Sequence, residues 1–152
     1  MLRWLQDRPH ALEAAYAAIE KLLLPFRRWL KPGSRMERLF IRAEKISKGA
    51  IFDCRMCGVC ILHSTGMTCP MTCPKNLRNG PCGGVRPDGR CEVLPDRPCI
   101  WALAWERSQM MPVYGQEILQ IQPPVNHSLQ GTSAWVNDLH LQEKMAPAGW
   151  QK

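Results

Sequence analysis

The chain lacks the features that mark most enzymes. It has no G-x-G-x-x-G run and no P-loop, so nothing in it points to a nucleotide site of its own. It has no nucleophile elbow or oxyanion signature. His127, Ser128 and Asp138 are therefore read as a chance grouping, and no catalytic residue is predicted. A clean hydrophobic run is missing too, because Asp7, Glu13, Glu20 and Lys21 interrupt the N-terminal stretch and no small-residue cleavage site follows it. That pattern predicts neither a signal peptide nor a membrane span, and a cytoplasmic location is expected. Aromatic residues are scarce at 7%, against thirteen prolines and eleven glycines, which implies a loop-rich section. Cysteine is absent on both sides of one window: all eight lie between Cys54 and Cys99.

The rest of the composition is ordinary for a globular chain of 152 residues, with 45% hydrophobic and 22% charged residues. The formal charge of +7 raises nucleic acid as a partner. Its distribution argues otherwise: residues 1–50 carry eleven Lys/Arg against five Asp/Glu, while the cysteine window has no aromatics interleaved with its bases. No nucleic-acid partner is predicted.

Three regions follow: an N-terminal helical region (1–50), a cysteine-rich domain (51–108) and an extended C-terminal arm with a short helix (109–152). In the first, Leu12, Ala15, Ala18, Ile19, Leu22 and Leu23 recur at helical spacing from about Pro9 towards Leu30, and Pro25 should bend or end that helix. Ser34 and Glu37 read as a capping box opening a second helix from Arg35 to about Lys48, with Met36, Leu39, Phe40, Ala43 and Ile46 on one face. The stripes of both helices are read as core or as a partner-facing surface, with an anionic membrane surface as the alternative. Between Ile51 and Pro98 the periodicity vanishes and turn signals take over, so metal rather than hydrophobic burial is expected to organise that stretch. A short helix from Ile100 to Trp105 should pack on it. In the arm, Thr132 or Ser133 should cap a last helix, with Leu129, Trp135, Val136 and Leu139 as anchors ordered against a partner. The predicted fold class is thus a small α plus irregular, metal-organised domain.

Eight thiols so close together in a reducing compartment are metal ligands sooner than disulfides. The candidates are Cys54, Cys57, Cys60, Cys69, Cys73, Cys82, Cys91 and Cys99. The run C-x-x-C-x-x-C, with cysteine-proline pairs at Cys69-Pro70 and Cys73-Pro74, follows iron-sulfur spacing. Zinc commonly takes C-x-x-C pairs from two knuckles, which leaves the third cysteine over. Two 4Fe-4S clusters are the expectation and zinc in one or both sites the alternative. Cys54, Cys57 and Cys60 should share a site with one of the two cysteine-proline thiols. The other should join Cys82, Cys91 and Cys99. His63, three residues after Cys60, is a minor alternative ligand.

From Ile51 to Trp105 the sequence resembles the methylenetetrahydrofolate reductase C-terminal domain family, through CRMCGVC, TGMTCPMTCPK, RNGPCGG and the closing CIW. The resemblance implies a small, non-catalytic subunit whose clusters pass electrons to a large flavin-containing subunit. That partner would be a TIM barrel with FMN or FAD that reduces 5,10-methylenetetrahydrofolate to 5-methyltetrahydrofolate. A barrel of that kind needs far more than 152 residues. The implied donor is ferredoxin or another low-potential carrier. A structural zinc subunit stabilising the same enzyme is the competing reading.

Overall fold

The computed structural model describes residues 3–140, without the side chain of Arg3. Its first elements are α1 (Arg3–Gln6) and α2 (Pro9–Leu23), and Pro9 stands in the first turn of α2, where a missing N–H costs nothing. As the sequence implied, Pro25 prevents the α-helix from continuing, and Leu24–Arg28 tightens into a 3-10 turn. The helix α3 (Arg35–Phe52) opens on Ser34, whose hydroxyl accepts from the Glu37 amide at 3.0 Å. The Glu37 carboxylate reaches back to the amide of Gly33, one residue before the cap, so the box closes on a different donor. The helix runs one turn past the expected Lys48, because nothing stops it until Asp53 adopts a left-handed φ of 52°.

Residues 53–99 form no regular strand. They fold as tight turns, two short 3-10 segments (His63–Thr65 and Pro70–Thr72) and two isolated bridges, Val85 with Cys91 and Arg90 with Pro98. Helix α4 (Ile100–Ser108) follows, then loops and α5 (Ala134–Leu139), capped by Ser133 through the Val136 amide at 3.2 Å. Among the described residues, no helix is long and apolar enough to cross a membrane.

The burial pattern decides between the two readings of the helix faces: within this chain most of each stripe is not core, Leu23 excepted. On α3 the residues turned inwards are Glu37, Glu44 and Lys48, with Phe40 half-buried, while Met36, Leu39, Ala43 and Ile46 face solvent. On α2 the buried residues are Pro9, Glu13 and Leu23, while Ala15, Ala18, Ile19 and Leu22 are exposed and Leu12 is half-buried. The reason is the same in both helices. Their inner sides meet loop backbone and hydroxyl groups, which an apolar stripe would leave unsatisfied. Glu13 accepts from the amides of Val113 (2.9 Å) and Tyr114 (2.6 Å), and Glu44 accepts from Ser133.

The arm also departs from expectation. Trp135, Val136 and Leu139 are buried in this chain's own core, against Leu23 and Leu30, with Tyr16 and Phe40 packed alongside. Arg107 ties α4 to the N-terminus, donating to Thr68 (3.0 Å), Gln6 (3.3 Å) and Asp7 (3.2 Å).

Replacing Glu13 with alanine would strand two inward-facing amides. The expected cost is about 2–3 kcal/mol, seen as an earlier denaturation midpoint, with Glu13→Gln recovering part of it through its amide oxygen.

Candidate metal centres

The eight cysteines divide between two cavities. Cys54, Cys57, Cys60 and Cys69 line the first, and Cys73, Cys82, Cys91 and Cys99 line the second. The two cysteine-proline thiols, four residues apart, therefore go to different cavities. The 3-10 turn Pro70–Thr72 between them is their common wall: Pro70 and Met71 line the first, and Thr72 lines the second. At roughly 2 Å rise per residue such a turn separates Cys69 from Cys73 by only about 8 Å along its axis.

The first cavity is built by folding the cysteine loop against α3 and the arm. Met56 takes a left-handed φ of 50° and Gly58 one of 76°, which curls Cys54, Cys57 and Cys60 round one centre. The arm clasps the outside of this loop: the Gly131 amide donates to the Met56 carbonyl (2.8 Å), Asn137 to that of Gly58 (2.8 Å) and Gln130 to that of Arg55 (2.8 Å). A Cβ on Gly58 would overlap the Leu129 carbonyl, so glycine is demanded there by close approach as well as by φ.

Amides point at sulfur in a repeating way. The N–H two residues on donates to the thiol at Cys54 (from Met56, 3.4 Å) and Cys82 (from Gly84, 3.4 Å), and the amides of Leu62 and Met71 act likewise on Cys60 and Cys69. Such donors stabilise negative sulfur and tune what it binds. The cations repeat as well. The first cavity is lined by the Lys48–Glu44 pair (2.6 Å) and Arg78, and the second by the Lys75–Glu92 pair and Arg97. Burial pulls the Lys48 ammonium towards neutrality, but Cys60, Glu44 and Cys54 together outweigh it and hold its pKa above the ordinary lysine range. Burial pushes the Cys69 thiol up to about 12, with Cys60 and Cys54 adding repulsion, and it raises Cys54 and Cys60 in the same direction.

Among the described residues, no three Cys, His, Asp or Glu side chains converge as they would on a single ion; the thiols line cavities instead. The cysteine spacing implied the set of thiols but missed Glu44 and Lys48. Their signal was a Glu and a Lys four apart on a helix ending just before Cys54. Arg78, a base of the cysteine window, is buried and donates to the Val59 (3.2 Å) and Pro123 (2.8 Å) carbonyls. His63 points elsewhere: its Nδ1 lies 2.6 Å from Glu117 and its ring packs against Tyr16 and Tyr114. Of the suspected chance triad, His127 is exposed and Asp138 half-buried on α5.

The described chain is a small helical scaffold whose eight cysteines line two four-cysteine cavities. The family model described as methylene-tetrahydrofolate reductase C terminal matches residues 34–128, more than half of the chain, and the protein belongs to that family. The match extends the motif-based resemblance to include all of α3 and the first part of the arm. No curated protein and no solved structure matches the chain.

The raised thiol gives a direct test. Cys69 stays protonated at pH 8, so in metal-free protein it should alkylate far more slowly than the exposed Cys82, and its rate should climb with pH up to about 12. Peptide mapping after timed iodoacetamide treatment reads this out. For Gly58→Ala the expected effect is displacement of the arm, measured as faster hydrogen exchange at the Gly131 amide.

Proposed function

We propose that this chain is the iron-sulfur, electron-transferring subunit of a methylenetetrahydrofolate reductase complex. The observation that carries the reading is the division of eight cysteines into two cavities of four, on a chain of that family. Each set would hold one 4Fe-4S cluster, a group that takes up and gives up one electron at a time.

The donor set supports this assignment. By ligand counting, an oxidised core of about +2 with four thiolates carries about −2. The lysine and arginine on each cavity wall offset that charge, while Glu44 and Glu92 restrain the lysines. Amides aimed at sulfur favour the thiolate over the thiol. Loading either cavity must expel protons, most of all from Cys69, so binding should strengthen as pH rises.

The turn carrying Cys69 and Cys73 gives electrons a short route between the two sites. Reduction of a methylene to a methyl group consumes two electrons and two protons, and two one-electron centres can supply both electrons. That step is assigned to the flavin-bearing partner that the family resemblance implies. A low-potential carrier such as ferredoxin is the proposed donor, and the cytoplasm the proposed location.

Metal analysis of anaerobically purified protein tests the reading. About eight iron per chain and a broad visible absorption that bleaches with dithionite are expected. Cys57→Ser and Cys99→Ser should each lower iron to about four, through different cavities. About two zinc and no colour would overturn electron transfer and leave a folding subunit.

A further inference from the structure

The inverted helix faces leave an unusual surface. Between Lys21 and Lys45 the chain exposes eight Lys/Arg side chains, while both acids of that stretch, Glu37 and Glu44, are buried. Among the described residues none of the eight is held in an ion pair. At 100° per residue, Met36, Leu39, Ala43 and Ile46 form one strip along α3, with Arg35, Arg38, Arg42 and Lys45 on the next strip. Leu39 and Ile46 are 62% and 74% exposed.

On its other side this apolar strip borders a groove between α2 and α3. The groove encloses about 390 Å³, is walled by Leu12, Ile19, Phe40 and Ile51, and has Trp135 at its base. It also shares a wall with the first cysteine cavity, since Glu44, Lys48, Phe52 and Leu62 line both. One layer of side chains separates the two.

We propose that this groove and its basic rim are the docking site for the flavin-bearing partner, which presents a protruding apolar segment flanked by acidic side chains. The inference rests on the electron-transfer reading above. Three observations select this occupant. A bilayer is flat and would bridge a concave groove without filling it. A second copy of the chain would bring eight positive charges against eight, which like-charge repulsion opposes. An electron acceptor, by contrast, gains from a seat one side-chain layer from four thiolates. The exposed face would then supply steering by charge and affinity through the groove.

The test titrates the flavin-bearing reductase subunit with iron-loaded wild type, the double variant R38E/R42E and Ile46→Asp, at about 50 and about 300 mM salt. Because the substituted side chains are exposed, iron content and helicity should match wild type. The expected result is a wild-type affinity that weakens about tenfold or more with salt. R38E/R42E should bind about tenfold more weakly with a flattened salt response, and Ile46→Asp about tenfold more weakly at both salts. Variants that bind as wild type does would place the partner on another face and overturn the docking site while leaving the complex intact. Salt-dependent pelleting of wild type with vesicles containing roughly 30% anionic lipid, lost in R38E/R42E while partner binding persists, would reassign the face to a membrane surface. A wild type that carries iron but forms no complex would overturn both the docking site and the proposed partner. Loss of binding in the variants of an iron-free chain would keep the docking site and overturn electron transfer.

Discussion

The Glu44 carboxylate is the point on which α3, the arm and the first thiol cavity meet. It lies buried on α3, accepts from Lys48 one turn along the helix at 2.6 Å, and accepts from Ser133 on the arm at 2.5 Å. A carboxylate is tolerated at such depth only when its charge is paired and its oxygens are bonded. Meeting those demands fixes the rotation of α3 about its own axis. Once Glu44 and Lys48 face inwards, Met36, Leu39 and Ile46 have nowhere to go but out. The surface character of the helix is thus a consequence of one buried pair. Ser133 is committed at the same time, since its hydroxyl also caps α5. The arm is pinned where Gly131 and Asn137 can clasp the cysteine loop.

The two cavities are related by construction and differ in shelter. Both combine four thiols, a lysine-glutamate pair and an arginine, yet Cys57 and Lys48 of the first are buried while Cys82 and Glu92 of the second stand open. The first is enclosed by α3, the loop and the arm, and so depends on contacts made by residues far apart in sequence. The second is closed mostly by local turns, the two isolated bridges and Trp101, whose indole donates to the Leu77 carbonyl at 3.2 Å. Greater solvent access raises the local dielectric and weakens every fixed charge near the thiols. If each cavity held a cluster as proposed, settings so unequal would give the two unequal potentials.

Much of this was legible in the sequence where chemistry is local. The cap at Ser34, the break at Pro25 and the last helix at Ser133 all rest on interactions within a few residues, and the helices begin or end where those signals stand. Helix orientation was not legible. Apolar periodicity names a face, and the usual inference turns that face inwards. Here the inward partners are backbone amides at Val113 and Tyr114 and a hydroxyl at Ser133, about a hundred residues away, and nothing in the local pattern announces them. The arm was misread for the same reason: its anchors find a core in this chain, with Leu23 and Leu30, where a partner was expected.

The inversion also changes what the net charge means. Residues 1–50 hold five acids, and three of them, Glu13, Glu37 and Glu44, are buried. Eleven bases against five acids therefore understates the positive field that a visitor meets. Buried acids act inwards, on amides, on a hydroxyl and on Lys48, while bases such as Arg38 and Arg42 project into solvent. A face can be strongly basic and markedly apolar together only if something else satisfies the helix interior, and the thiol loop and the arm do so. The same packing that encloses Cys54, Cys57, Cys60 and Cys69 thus exposes the strip beside them. The enclosed thiols and the exposed basic, apolar strip are two sides of one helix, fixed by a single rotation.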